Sequence, residues 1–446
     1  MKPIAVKAGG RSALLSGAAV LSAWCVLTWP EALAQSHPSA TPEVVEVPSQ
    51  APSGPTISLL RQAVEAAWSR SAWARAQAAR QSALEADARV TEAWVSSPPT
   101  ASLGRLADRA GRNASRQEWE AELSMPLWWP GQRDAGRLLS QRNQALLTVE
   151  AAAQKLAVAQ AVRESWWAVL DAQDQVVLWQ GRVDSAQALH DDVERRHRAG
   201  ELARVDAQAA SAEWLAARSE LAGAQQLRHA AQGRWQALTG LPAPAPTDGG
   251  ALRTPVMPEG QLDATDDRAL AQHPALVAAR LAAEAAEARI DVAAAAAREA
   301  PEVGVRVVRE RKDAVEPFGN TVGVRVSVPL GTAPRTLRAS AEARAEWLEA
   351  DAQQALVERR LQAELAEARE ALRTAALRLR LARERAEMGA DSERLLRKAF
   401  SLGEVDLATL LRARALAFDA DRDLTRQRRA VDAARDQLQH ALGMLP

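Results

Sequence analysis

Two long stretches of this 446-residue chain, 131–241 and 335–445, contain no proline. Proline removes a backbone donor and clashes with the preceding helical turn, so its absence over such lengths permits unusually long helices. Within each stretch one glycine marks a reversal: Gly200 in Arg198-Ala-Gly-Glu201, and Gly403 in Ser401-Leu-Gly-Glu404. The spacing predicts helices over about 133–198 and 202–239, and again over about 335–400 and 405–442. At 1.5 Å per residue the first is ~100 Å long. A compact core cannot cover such a helix, which needs parallel neighbours, as in a coiled coil or a helical tube. Shorter helical patterns, about 57–95 and 264–298, open the two halves.

The halves are copies. Pro126-Leu127 recurs as Pro329-Leu330, Gly200-Glu201 as Gly403-Glu404, and Trp235-Gln-Ala-Leu-Thr-Gly240 as Leu438-Gln-His-Ala-Leu-Gly443, always at the same interval. That interval far exceeds a solenoid repeat, so it reads as duplication of a subdomain, 57–241 and 263–446. The Pro- and Gly-rich segment 242–262 is the linker between them. Residues 35–56, rich in Pro and Ser, read as an extended N-terminal segment. Residues 1–34 read as a secretory signal: Lys2, Lys7 and Arg11 precede an apolar run, and Ala32-Leu33-Ala34 is a small-x-small cleavage site. The single cysteine, Cys25, lies in that run behind Trp24, a neighbour that does not suit lipid attachment. An exported chain without disulfides is held by packing or assembly. Past residue 34 no apolar run reaches the 18 or so residues of a transmembrane helix.

Before each long helix the pattern changes to strict alternation. In Thr321-Val-Gly-Val-Arg-Val-Ser-Val-Pro-Leu330, the residues Val322, Val324, Val326, Val328 and Leu330 share a face. In the first copy Trp119, Ala121, Leu123, Met125 and Leu127 share a face, opposite Glu118, Glu120, Glu122 and Ser124. Partner strands precede each, near 100–106 and at Val303, Val305 and Val307. A small sheet on a soluble core satisfies this pattern. So does a share of a transmembrane barrel, apolar outward and polar toward the lumen. Four strands cannot close a barrel, for which about 8 is the minimum, so the second reading requires several copies. Trp128 and Trp129 follow the apolar run just before the helix, where such a strand would pass from hydrocarbon to water, and tryptophan favours that interface. Packing at a strand–helix elbow is the alternative.

Formal net charge is +0, and nothing in its distribution points to nucleic acid. There is no His/Asp/Glu cluster at metal-ligand spacing and no phosphate- or dinucleotide-binding glycine pattern. No catalytic residue, cofactor or resident metal is expected, and the chain reads as a non-enzyme.

Taken in order, the duplicated helix–strand–strand–helix plan, the Ser-Met-Pro-Leu and Ser-Val-Pro-Leu strand ends and the two Gly-Glu turns resemble the TolC-like outer-membrane efflux factor family. Glu164-Ser-Trp-Trp-Ala-Val-Leu170 on the first long helix adds to the likeness, which covers nearly all of 57–446. The resemblance implies a mostly α fold with a small β part. Long-helix hairpins would form an α-barrel, and four strands per chain would join a twelve-stranded β-barrel in outer-membrane lipid. It also implies a homotrimer, a periplasmic membrane-fusion adaptor and an inner-membrane pump of the resistance–nodulation–division type as partners. The role implied is a passive exit duct, in style closest to the heavy-metal-exporter branch, for metal cations or small toxic compounds. Drug efflux or type I protein secretion would use the same features, and a periplasmic coiled-coil scaffold or adaptor is the reading from another class.

Carried onto this sequence, the adaptor-docking tips are Gly200, Glu201, Leu202, Gly403, Glu404 and Val405, with Leu202 and Val405 expected to stand exposed. The tunnel-entrance gate falls on Asp206, Asp406, Thr409 and Arg412. Thr409 and Arg412 occupy positions that carry aspartates in the best-known members, and Val405 occupies a basic gating position, so the entrance network departs from theirs. The lipid-facing residues are Trp119, Leu123, Val322, Val324, Val326 and Val328, and the membrane-interface residues are Trp128 and Trp129.

Overall fold

The computed structural model describes residues 55–107, 116–245, 266–296, 298–312, 315–330 and 333–446. The expected signal segment, most of 35–56 and most of the linker lie outside the described residues. Two short helices, α1 (Pro55–Arg70) and α2 (Ala72–Glu92), lead into strands β1 (Thr100–Ala107) and β2 (Gln117–Pro126). Then come α3 (Gln132–Arg198) and α4 (Arg204–Thr239). The second half runs α5 (Asp266–Ala271), α6 (Pro274–Ala296), β3 (Glu302–Arg311), β4 (Gly319–Ser327), α7 (Ala333–Ser401) and α8 (Leu407–Ala441). With 67 and 69 residues, α3 and α7 are each ~100 Å long.

Each opening helix, expected to be continuous, is broken. Ser71 takes an extended backbone (φ −65°, ψ 147°), and its hydroxyl accepts the Ala74 N–H at 3.1 Å, capping α2. In the second half Pro274 starts α6. Proline suits a first helical turn but disfavours helix at the residue before it, so α5 stops short of His273.

The long helices pack through a heptad seam. In α4 the buried residues Ala210, Ala217, Ala224 and Ala231 recur every seventh position, and in α8 Leu410, Leu424, Val431 and Leu438 hold one such row. On α7 the row is Leu361, Ala368, Ala375 and Ala382. Gly389 continues it, where a Cβ would lie 3.3 Å from the Ala417 Cα of α8. A seven-residue repeat stays on one seam only if the helices supercoil left-handedly. Helix α3 lies against α4, α6 and α8, while α7 lies against α6 and α8. The layer therefore runs from α2 and α4, through α3, through α6 and α8, to α7.

The strands form one antiparallel sheet in the order β1-β2-β3-β4. The two halves meet at its centre, where Ala121 pairs with Val307, Leu123 with Val305 and Met125 with Val303. The neighbouring registers add Leu103 opposite Ala121 and Val324 opposite Val305. Directly paired residues share a face, so Leu103, Trp119, Ala121, Leu123, Val303, Val305, Val307, Val322, Val324 and Val326 form one continuous apolar surface. Among the described residues β1 and β4 are free edges. They lie on the same two flanks as the outer helices of the layer, since β1 follows α2 and β4 leads into α7.

Candidate functional site

The apolar surface of the sheet is covered by none of the described residues. Leu103 is 77% exposed, Val324 73%, Val322 68%, Val326 65%, Val328 51%, Leu123 46% and Trp119 39%. Exposing so much contiguous apolar area to water is unfavourable, and it marks a surface meant for lipid or a partner. The opposite face is charged. Arg306 Nε lies 2.6 Å from Glu120 and Arg325 Nη1 lies 3.0 Å from Glu122, so guanidinium groups of the second half bind the β2 glutamates of the first. At the loop end of the apolar face, the Arg105 guanidinium stacks 4.8 Å from the Trp119 ring. From Trp119 to Trp128 is ~30 Å of strand, or ~23 Å of height at the usual tilt of about 40°, close to the ~25 Å apolar band of an outer-membrane barrel.

The run from Trp128 to Arg133 caps two helices. The Trp128 indole N–H donates to the Ala93 carbonyl at 2.9 Å, and Arg133 Nε donates to the Thr91 carbonyl at 2.9 Å. On the other side the Trp129 indole N–H donates to Glu299 at 2.7 Å, and the Gln132 amide donates to Ala295 at 3.4 Å. The last carbonyls of α2 and α6 have no partner within their own helices; Arg133 and Gln132 supply one at Thr91 and Ala295, while the tryptophans hold the carbonyls of Ala93 and Glu299 just past the helix ends. Both tryptophans are thus elbow ties, half-buried by their hydrogen bonds. Trp94, which sequence reasoning passed over, stands 69% exposed at the same elbow, beside the Ala93 carbonyl that Trp128 holds. Its only signal was its place at the end of the α2 pattern.

At the far end the two hairpin turns are alike. Gly200 (φ 82°) and Gly403 (φ 78°) take the left-handed conformation that glycine accepts without strain. The next amides close both turns, with Glu201 N–H donating to Arg196 and Glu404 N–H to Ala399, each at 2.9 Å. The expected exposure of Leu202 and Val405 is corrected here. Both pack on a core shared by the two tips, built from Val193, Ala207, Ala210, Phe400, Leu407 and Leu410. The chain reversal directs the first apolar residue after each glutamate back onto its own hairpins. The apolar side chains left in water at the tips are Val205 (68%) and Leu402 (64%).

The four residues expected at the gate lie at the starts of α4 and α8, with Asp406 as the cap of α8 and Arg412 in its second turn. Asp206 accepts the Ala203 N–H at 3.3 Å, reaching back. In the second half Asp406 reaches forward, accepting the Thr409 N–H at 2.8 Å, and Arg412 donates to the Thr409 hydroxyl at 3.3 Å. The two halves of the duplication thus use complementary halves of a capping box. The side-chain bond to Thr409 holds the Asp406 carboxyl below the usual carboxylate range. Asp406, Thr409 and Arg412 come together, while Asp206 caps the other hairpin.

Higher up, the hairpins are tied side to side. Arg182 donates to the Arg414 carbonyl at 3.1 Å and pairs with Glu213, while Arg414 donates to the Ser185 carbonyl at 2.8 Å. Trp179 and Phe418 pack ring to ring at 4.7 Å. Burial, and then the neighbouring Arg182, lowers the Arg414 pKa. Further up lies a buried ion pair, Arg163 Nε to Asp436 Oδ1 at 2.9 Å, with side chains only 3% and 4% exposed. The Trp167 indole donates to Asp436 at 3.0 Å, and Trp166 packs on Trp235 at 5.6 Å. The Glu164–Leu170 motif is therefore the place where α1, α3, α4 and α8 are joined.

Burial, then Arg163 and His273, lowers the His440 pKa to about 4, and burial lowers that of His273. These rings stay neutral in the fold, while in the unfolded chain they take up protons near 6.5. The contribution of the two histidines to stability is therefore complete above pH 6.5 and falls as pH drops toward 4, by on the order of 2 kcal/mol from the partly exposed His440. Burial raises the Asp436 pKa, which works the other way at the acid end of this window. Denaturant midpoints in detergent from pH 7.5 to 5 should show this slope in the wild type and a shallower one in H440Q. An unchanged slope in H440Q would remove His440 as its source.

Among the described residues no group of His, Cys, Asp and Glu is placed to hold a metal ion, and no helix is long and apolar enough to cross a membrane. No curated protein matches the chain. Residues 267–444 match the outer membrane efflux protein family. The solved structure of CusC, described as undergoing folding and transmembrane channel formation, superposes with a TM-score of 0.73 at 17% identity over 86% of this chain and 92% of its own. The outer membrane protein VceC of Vibrio cholerae gives 0.69 at 17%, over 86% and 96%. The open-state MtrE outer membrane channel of Neisseria gonorrhoeae gives 0.66 at 15%, over 86% and 88%. Residues 267–444 are thus similar to the outer membrane efflux protein family, and the described chain has the fold of these solved outer-membrane channel structures.

Proposed function

We propose that this chain is the outer-membrane exit duct of a tripartite efflux system, a homotrimer that conducts passively what an inner-membrane pump delivers. The observation that carries this reading is the apolar sheet face, uncovered and open at both edges, set on helices ~100 Å long. Because β1 and α2/α4 share one flank and β4 and α7 the other, a single head-to-tail contact closes both layers at once. Two copies would give about 8 strands, whose interior side chains fill. Three leave a lumen lined by Glu118, Glu120, Glu122, Arg306 and Arg325. Trp94, Trp128 and Trp129 then ring the periplasmic interface of the outer membrane and Trp119 the opposite one.

The helical tube extends into the periplasm. Its tips, with Gly200, Glu201, Gly403 and Glu404 at the turns and Val205 and Leu402 exposed beside them, meet a periplasmic adaptor. Leu202 and Val405 support that surface from beneath. Asp206, Asp406, Thr409 and Arg412 ring the entrance. The cargo is metal cations or small toxic compounds, a reading that rests on the likeness to the heavy-metal branch. Fractionation of cells is expected to place the protein in the outer membrane, as a trimer on unheated gels that dissociates on boiling. A monomer in the soluble periplasmic fraction would overturn the proposal. Survival of a deletion strain on metals, drugs and detergents identifies the cargo.

A further inference from the structure

Helices α3, α7 and α8 border a cleft of about 370 Å³, midway along the helices, lined by Asp174 of α3, Arg383 of α7 and Arg428, Arg429, Asp432 and Arg435 of α8. Four guanidinium groups face two carboxylates. Both carboxylates are already engaged. Asp174 takes Arg429 with both oxygens, Nη2 to Oδ1 at 3.0 Å, and Asp432 takes Arg435 at 3.3 Å. Among the described residues neither Arg383 nor Arg428 has a hydrogen-bond or ion-pair partner. Val431, 4% exposed, is buried at the base. Burial raises the Asp432 pKa, while Arg383 and Arg428 stand exposed to solvent, within reach of a ligand.

We infer that this cleft binds a small oxyanion carrying two negative charges, of the size of a phosphate monoester or a short dicarboxylate. The excess of two positive charges sets the charge of the ligand. The planar forks of Arg383 and Arg428 suit paired oxygen acceptors, which both phosphate and carboxylate offer. The site owes nothing to the duct reading, since it uses only α3, α7 and α8 of one chain.

The test is titration calorimetry on the full chain in non-ionic detergent, at constant ionic strength, with inorganic phosphate in one arm, succinate in another and chloride as reference. Saturable binding of one anion per chain is expected in at least one arm, and which arm responds names the chemical source. R383Q and R428Q are each expected to weaken it about tenfold, the scale of one hydrogen bond to a charged group. R373Q, on α7 outside the cleft, should leave it unchanged. Non-saturable heats, or wild-type binding by the R383Q/R428Q variant, would overturn the inference. So would finding no anion bound while that double variant loosens the oligomer, because the two arginines would then serve a neighbouring copy.

Discussion

An arginine at Val324 is expected to prevent stable assembly in the membrane. Val324 lies in the middle row of the apolar face, in line with Ala101, Leu123 and Val305, and is 73% exposed. In a barrel wall that row sits near the bilayer midplane, where an arginine costs ~2–4 kcal/mol per copy and only ~0–1 near the interfaces. Three copies place three such charges at one depth, so the loss rivals the whole stability of an ordinary domain, about 5–15 kcal/mol. N320R lies in the row of Arg105 and Arg309, already charged, and should assemble normally. T321R lies on the charged face and should also assemble. The measurement is the fraction of unboiled trimer in washed outer membranes. If V324R and N320R fell equally, the graded dependence on depth would be missing, and the face would be packing on protein rather than lipid.

How much of this was legible in the sequence depends on the range of the interaction. Strand alternation is local, with a period of two, so the apolar faces of β2 and β4 could be read off directly, and the registers put both on one surface. The long helices were legible from absent prolines and their turns from Gly200 and Gly403. The broken helices were missed although Ser71 and Pro274 announce the breaks, because an apolar pattern running through both positions outweighed a single capping residue. The Trp128–Arg133 run was read for its affinity for an interface. Its hydrogen-bond partners lie 35 and 170 residues away, and no local pattern connects a tryptophan to a carbonyl at that range. Arg163, Arg182 and Arg414 were invisible for a different reason. In a chain with 56 Lys and Arg residues, nothing local distinguishes a buried guanidinium from a solvated one. The exposure assigned to Leu202 and Val405 failed because two hairpin tips share a core, which one hairpin's sequence does not show.

Removing one member of the Arg163–Asp436 pair is expected to cost ~3–5 kcal/mol, whereas removing both should come close to neutral. The pair joins α3 of the first half to α8 of the second, and Arg163 also donates to the Met444 carbonyl at 3.0 Å. R163M leaves the Asp436 carboxylate buried, with Trp167 as a donor but no countercharge. D436L leaves a buried guanidinium. R163M/D436L leaves neither charge and fills similar volume, so it should lie within about 1 kcal/mol of the wild type or above it. The pH dependence separates charge from packing. Burial already raises the Asp436 pKa, and Arg163 pulls it back down. Without Arg163 it rises further, so the group adds stability as pH falls through its folded value and withdraws it as pH rises. R163M should therefore recover part of its deficit between pH 7 and 5, while R163M/D436L should follow only the histidine slope. Denaturant unfolding of the four proteins at both pH values closes the cycle. A double variant as unstable as the singles, with no recovery in acid, would mean that shape rather than charge holds the two halves together here.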